Sequence, residues 1–303
     1  MAGNSINKRV ENPLFVRKII AVLSVTSTST FQTWAIILFS VLGVLVSAAS
    51  VRSESITIGG TGSSLAVMRL IGEVFSEAYP DTRLEVLPSL GSGGGIKALI
   101  DGRIDIAVSA RPLKESEAAK PIGANYYGRS PLAMVVFDEP GLDNLAASDV
   151  LAIFRGEQTH WPTGQPIRLV LRPSSETDSK LFVAIVDGLD EAYETARQQN
   201  GVPTAYNDQE NAAALSTISG SLGVMTLSQV LGEGLPIRVL ALDGIHPTVA
   251  NLQSGEYPLS KGYWIVVRDE RPGIVERFLE LFHSPEGQAI LRETGHDVTP
   301  ITQ

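Results

Sequence analysis

The groups that could do chemistry in this chain gather in residues 89–113, SLGSGGGIKALIDGRIDIAVSARPL. Gly91, Gly93, Gly94 and Gly95 surround Ser92, and glycines leave a backbone free to turn successive N–H groups toward one point. Residues 96–100 then start a helix, whose first N–H groups have no partner inside it. A glycine-rich turn against a helix N-terminus makes an anion site. The plainer alternative is a tight connection with no ligand. Asp101 and Gly102 close the helix, residues 104–108 fit a buried strand, and Ser109, Ala110 and Arg111 emerge at its carboxyl end. In open α/β sheets that is where ligands collect.

The flanking elements must bring such loops together. Residues 55–58 alternate as a strand, followed by Gly59-Gly60-Thr61-Gly62-Ser63-Ser64. Ser63 or Ser64 suits the N-cap of a helix over 65–78, where Leu65, Met68, Leu70, Ile71, Val74 and Phe75 form an apolar stripe. A strand at 83–87 completes βαβαβ, which implies a parallel sheet with right-handed crossovers. The loops 61–64, 91–95 and 109–111 then share one sheet edge. Further on, the pattern predicts strands at 132–137, 167–171, 221–226 and 235–242. Helices are expected at 148–154 (capped), 179–186, 190–199 and 207–216, so the middle of the chain can form a second sheet. The end returns to a strand at 263–268 and helices at 272–283 and 285–294, the last with Pro285 at its first position and Gly295 beyond it.

With 303 residues, 44% hydrophobic and 19% charged, the chain has material for two medium domains or one large one. It contains no cysteine, which removes disulfides, thiolate metal sites, cysteine nucleophiles and a lipidated cysteine. A net charge of −9 argues against a nucleic-acid partner, which calls for a basic surface. His160, His246, His283 and His296 are scattered, with no HExxH spacing, and read as packing or surface residues. There is no Walker A loop, no completed GxGxxG and no GxSxG elbow. Neither a cofactor nor a metal is expected, and an enzyme such as a phosphatase is the remote alternative.

Residues 1–49 differ from the rest. Lys8, Arg9, Arg17 and Lys18 precede an apolar run at 34–46, and Ser47, Ala48 and Ala49 follow. This is the layout of a secretory signal cleaved after Ala49, which would place the remainder outside the cytoplasm, in a periplasm. The alternative is an uncleaved anchor in the inner membrane, although thirteen apolar residues fall short of the roughly 20 needed to span. Cleavage would shift the net charge to −12.

Taken together, residues 58–64 (IGGTGSS), 91–97 (GSGGGIK), 105–113 (DIAVSARPL), Ile153-Phe154-Arg155-Gly156 with Trp161, 241–244 (ALDG), 257–260 (YPLS) and 284–288 (SPEGQ) resemble the periplasmic phosphate-binding proteins of ABC transporters. The resemblance runs over residues 54–300. It implies an α/β, two-lobed type II periplasmic binding protein fold, each lobe a mainly parallel sheet flanked by helices, with two crossover strands as hinge. Lobe 1 would comprise 54–137 and 245–303, and lobe 2 residues 138–244. It further implies a monomer that captures an inorganic oxyanion, phosphate first, between its lobes and hands it to an ABC permease. Carried over residue by residue, Ser64 and the Leu65 amide, beside Gly62 and Ser63, match the first contact loop. Ser92 with the amides of Gly93 and Gly94 matches the second, and Ser109 opens the third. Arg172 matches the arginine of lobe 2, and Ser174, Ser175 and Thr177 are the hydroxyls of its loop.

Two positions depart from the family pattern. Ala110 stands where an aspartate accepts a proton from phosphate, and Arg111 follows it, either adding charge to the pocket or bracing the cleft against a carboxylate of the other lobe. In the lobe 2 loop the glycines are gone, and Glu176 and Asp178 have appeared. Either acid could replace the missing acceptor or simply face solvent. A diverged member acting as a ligand sensor or protein-binding module is the alternative function.

Overall fold

The computed structural model describes residues 54–199 and 201–300; the expected signal segment, 1–49, lies outside them. β1 (Ser55–Gly60), a 3-10 turn (Gly62–Ser64), α1 (Leu65–Ala78), β2 (Arg83–Val86), α2 (Gly91–Ile100) and β3 (Ile106–Ser109) form the expected βαβαβ unit. β1 lies between β2 and β3 and is parallel to both. α1 buries Leu65, Val67, Met68, Ile71 and Phe75, the stripe that its 3.6-residue period places on one face.

After α3 (Glu115–Ala118) comes β4 (Ile122–Val136), 15 residues long. Its first part pairs antiparallel with β10 (Ser260–Arg268), which also pairs antiparallel with β3. Residues 132–136 pair instead with β7 (Ser221–Thr226), and Val135 and Val136 with β8 (Arg238–Val239). β6 (Arg168–Leu169) runs parallel to β7. The second sheet expected for the middle of the chain is therefore present, with β7 and β8 on residues 132–136 of β4 and β6 on β7, but it is joined to the first through β4 rather than separate. One sheet runs β2-β1-β3-β10-β4-β7-β6 with β8 alongside β4, because β4 is long enough to serve both ends. A small parallel pair, β5 (Asn144–Leu145) with β9 (Ala241–Leu242), stands apart.

The remaining helices are α4 (Ala147–Phe154), α5 (Thr177–Val183), α6 (Leu189–Arg197), α7 (Asp208–Thr217), α8 (Leu227–Glu233), α9 (Val249–Ser254), α10 (Gly273–His283) and α11 (Pro285–Glu293). Phe75, Tyr127, Tyr263, Phe278 and Phe282 centre one core, while Leu132, Met134, Phe154, Phe182, Tyr193, Tyr257 and Leu259 centre another. Each such side chain contributes about 1.5–3 kcal/mol by leaving water.

Three local expectations are corrected. The glycines 91–95 are not a turn ahead of a helix but its opening, since α2 begins at Gly91. Gly91 has φ +65°. A Cβ on Gly95 would lie 2.6 Å from Gly60 Cα, so here glycine permits close packing of helix on strand. Second, neither Ser63 nor Ser64 caps α1 with its side chain; the Ser64 hydroxyl accepts from Tyr127 Oη at 2.9 Å. Third, Ser148 does not cap α4, whose N-cap is Ala146, with the Asp149 carboxylate accepting the Ala146 N–H. Ser284 does cap α11, accepting from Gly287 N at 3.2 Å.

Candidate functional site

The carboxyl ends of the strands and several helix amino ends meet at a cavity of about 330 Å³. β1 leads into Thr61 and β3 into Ala110, the segment after β2 supplies Ser89 and Leu90, and α2 supplies Gly91 and Ser92. Facing them are Arg172 beyond β6, Glu176 and Thr177 at the start of α5, Tyr206, Asn207 and Asp208 at the start of α7, and Lys261 on β10. Leu90 and Tyr206 are 40% and 72% exposed and sit at its mouth.

Two cations and two carboxylates are buried beside this cavity. Arg172, Asp178, Asp208 and Lys261 are each 5% exposed or less. Arg172 Nη1 reaches Asp208 Oδ1 at 2.8 Å and Asp178 Oδ2 at 3.9 Å, and its Nη2 reaches Glu176 Oε2 at 3.1 Å. Lys261 Nζ lies 2.7 Å from Asp178 Oδ1 and 3.8 Å from Asp208 Oδ1. Arg172 Nε is buried without a partner. Charges removed from water survive only when paired, and here the pairing is mutual. Burial raises the pKa of Asp208, but Lys261, Arg172 and the Ser63 amide outweigh it and hold the carboxyl well below the usual range. Burial opposes the charge on Lys261, yet Asp178 and Asp208 push its pKa above the ordinary lysine value. The same balance raises Arg172.

Of the residues expected at the site, the structure brings Ser92, Arg172 and Thr177 to the cavity wall. The Ser92 hydroxyl accepts the Ala110 N–H at 2.9 Å, which ties the second loop to the third. Gly62 and Ser63 are buried and do not line the cavity: Gln209 Nε2 donates to Gly62 O at 3.2 Å, and Ser63 N–H donates to Asp208 Oδ2 at 2.9 Å. The Leu65 amide, expected to contact a ligand, donates to Gly62 O, and the Ser64 amide donates to Thr61 O. The 3-10 turn spends both on itself. Gly93 and Gly94 lie exposed along α2. The Ser109 hydroxyl closes its own turn, donating to Arg111 O at 2.7 Å.

Arg111 corrects another expectation. It neither enters the pocket nor reaches across the cleft, because both terminal nitrogens bond Glu117 at 2.8 Å within the same segment. Ser174 and Ser175 are exposed and do not line the cavity. The two acids of the 172–178 loop do not both face solvent. Asp178 is buried, and Glu176 lies against the cavity on Arg172. Lys261 and Asp208 were missed by sequence reasoning. A lysine opening an otherwise apolar run at 260–268 was the available signal for the first. Nothing distinguished Asp208 from an ordinary helix-start acid.

A family model described as the PBP superfamily domain matches residues 46–286. The phosphate-binding protein PstS of Bacillus subtilis is 25% identical over 257 residues, covering 82% of this chain and 82% of its own. A putative phosphate ABC transporter substrate-binding protein from Clostridium perfringens, solved with bound phosphate, superposes with TM-score 0.66 at 21% identity, over 82% of this chain and 100% of that one. An ABC-type phosphate transport receptor from Vibrio cholerae gives TM-score 0.53 at 22% identity, with the same coverages. These likenesses carry the two-lobed α/β fold. With its family model spanning most of the sequence, the chain belongs to the PBP superfamily.

Proposed function

We propose that this protein is an exported solute-binding protein that captures an inorganic oxyanion, phosphate first, between two lobes and delivers it to an ABC permease. One observation carries the reading. Arg172, Lys261, Ser92, Thr61 and the amino end of α2 converge on a single cavity outside the carboxyl ends of the strands. Charge-assisted hydrogen bonds from such donors are worth about 1.5–3 kcal/mol each. The names of the PstS relative and of the phosphate-loaded homologue support the choice of phosphate. Thr61, Ser92, Arg172, Thr177 and Lys261 are the proposed contacts. The division of cores supports lobes that meet where β4 changes partners, between Pro131 and Leu132, and again near Leu259 and Ser260, rather than at the expected boundaries after 137 and before 245. The protein works as a monomer, without turnover of its ligand.

Isothermal titration of the purified protein with phosphate, sulfate and other oxyanions, beside a phosphomonoesterase assay, tests this. One-to-one phosphate binding without hydrolysis is the expected result. No heat with any oxyanion, or turnover in the assay, overturns the reading.

A further inference from the structure

The donors nearest the first loop already hold an anion, and it belongs to the chain. Asp208 Oδ2 accepts the Ser63 N–H at 2.9 Å and the Thr61 hydroxyl at 3.2 Å. Its other oxygen, Oδ1, takes Arg172 Nη1 at 2.8 Å and lies 3.8 Å from Lys261 Nζ. A main-chain amide, a hydroxyl and a guanidinium around two oxygens are the partners an oxyanion recruits. The fit is close: a Cβ on Gly62 would lie 2.7 Å from Asp208 Cβ. Asp208 stands at the first position of α7, and Gln229 Nε2 donates to its carbonyl at 3.2 Å. The carboxylate is thus presented from a fixed helix end, 5% exposed.

We propose that Asp208 is a tethered competitor for the ligand: its carboxylate fills the oxyanion position made by Thr61, Ser63 and Arg172, and uptake exchanges one anion for the other. The inference rests on the oxyanion reading and deepens it by naming what sets the affinity. An incoming anion gains the cradle only after the carboxylate gives it up. A dianion lodged beside an unmoved Asp208 would meet repulsion across a dry site. The competition is one of charge, so it weakens phosphate and sulfate together and does not choose between them. The same carboxylate ties the 61–63 turn to α7, which makes it a closing contact as well as a competitor.

The test titrates the full-length protein and Asp208→Asn with inorganic phosphate and with sulfate by calorimetry, and records small-angle scattering of both without added anion. Asp208→Asn is expected to bind both anions at least tenfold more tightly, by similar factors, and to be more expanded than the parent. Unchanged or weaker phosphate binding by a folded variant overturns the proposal, since the carboxylate would then be helping to hold the ligand. Should Asp208→Asn not fold alone, millimolar phosphate or sulfate is expected to restore its melting transition, and failure of both to do so counts against it. If neither protein binds any oxyanion, the function proposed above falls, and the tether is judged by scattering alone. An expanded variant then sustains the contact, and identical profiles remove it.

Discussion

At the scale of single residues, the molecule is dominated by charges it has buried and by what must stay next to them. Lys261 is the nearer counter-charge of Asp178, at 2.7 Å against 3.9 Å for Arg172, so Lys261→Met is expected to cost about 3–5 kcal/mol by removing the close partner of a buried carboxylate, read as a lower urea midpoint. His296 poses the opposite problem. Its Nδ1–H donates to Leu291 O at 3.1 Å, while Nε2 is buried without a partner among the rings of Tyr127 and Tyr263. Burial pushes its pKa down to about 4, the hydrogen bond to Leu291 opposing. Between that value and about 6.5 the unfolded chain binds a proton that the folded chain does not, so stability rises with pH across this window. Lowering the pH from 6.5 to 4 is expected to remove on the order of 2–3 kcal/mol through this residue. Denaturation at several pH values, with His296→Phe as the flatter reference, checks it.

At the scale of elements, α2 separates two uses of glycine. Gly95 sits where a Cβ would press on Gly60 Cα, whereas a Cβ on Gly93 would meet only Arg111 Nη2 at 3.9 Å. Gly95→Ala is expected to destabilise by about 1–3 kcal/mol through overpacking, and to weaken anion binding by shifting Ser92. Gly93→Ala is expected to stabilise by up to about 1 kcal/mol through helix propensity. Thermal melts of the two variants should move in opposite directions. The period of α1 and the βαβαβ order were legible in the sequence, because apolar spacing alone decides them. The glycine helix was not, because its low propensity is overridden by packing on β1 that only the fold supplies. The same holds at the site. Arg172 and Ser92 could be named from motifs, but Lys261 and Asp208, 53 positions apart in the numbering, acquire meaning only when β10 and α7 come to face one another. Arg111 misled for the complementary reason: its partner Glu117 lies six residues away, in a turn of α3 that no periodicity announced.

At the scale of the whole molecule, the export reading makes a prediction about where the chain begins. Protein recovered from the extracytoplasmic fraction is expected to start at Ser50 on N-terminal sequencing, and a start at Met1 would leave residues 1–49 as an anchor. The architecture also bears on how the molecule moves. β4 is held by β10 up to Pro131 and by β7 from Leu132 onward, so the changeover falls on one peptide step. Proline fixes its own φ near −65°, which removes one of the rotations available there. Tyr257 Oη donates to the Leu132 carbonyl at 2.8 Å, and the Leu132 N–H donates to Leu259 O at 3.1 Å, so the neighbouring chain is clamped to the same step. If the two lobes proposed above turn about this step, it is expected to behave as an axle rather than a ball joint, so that a ligand drawing the halves together anywhere along the cleft would fix their orientation everywhere.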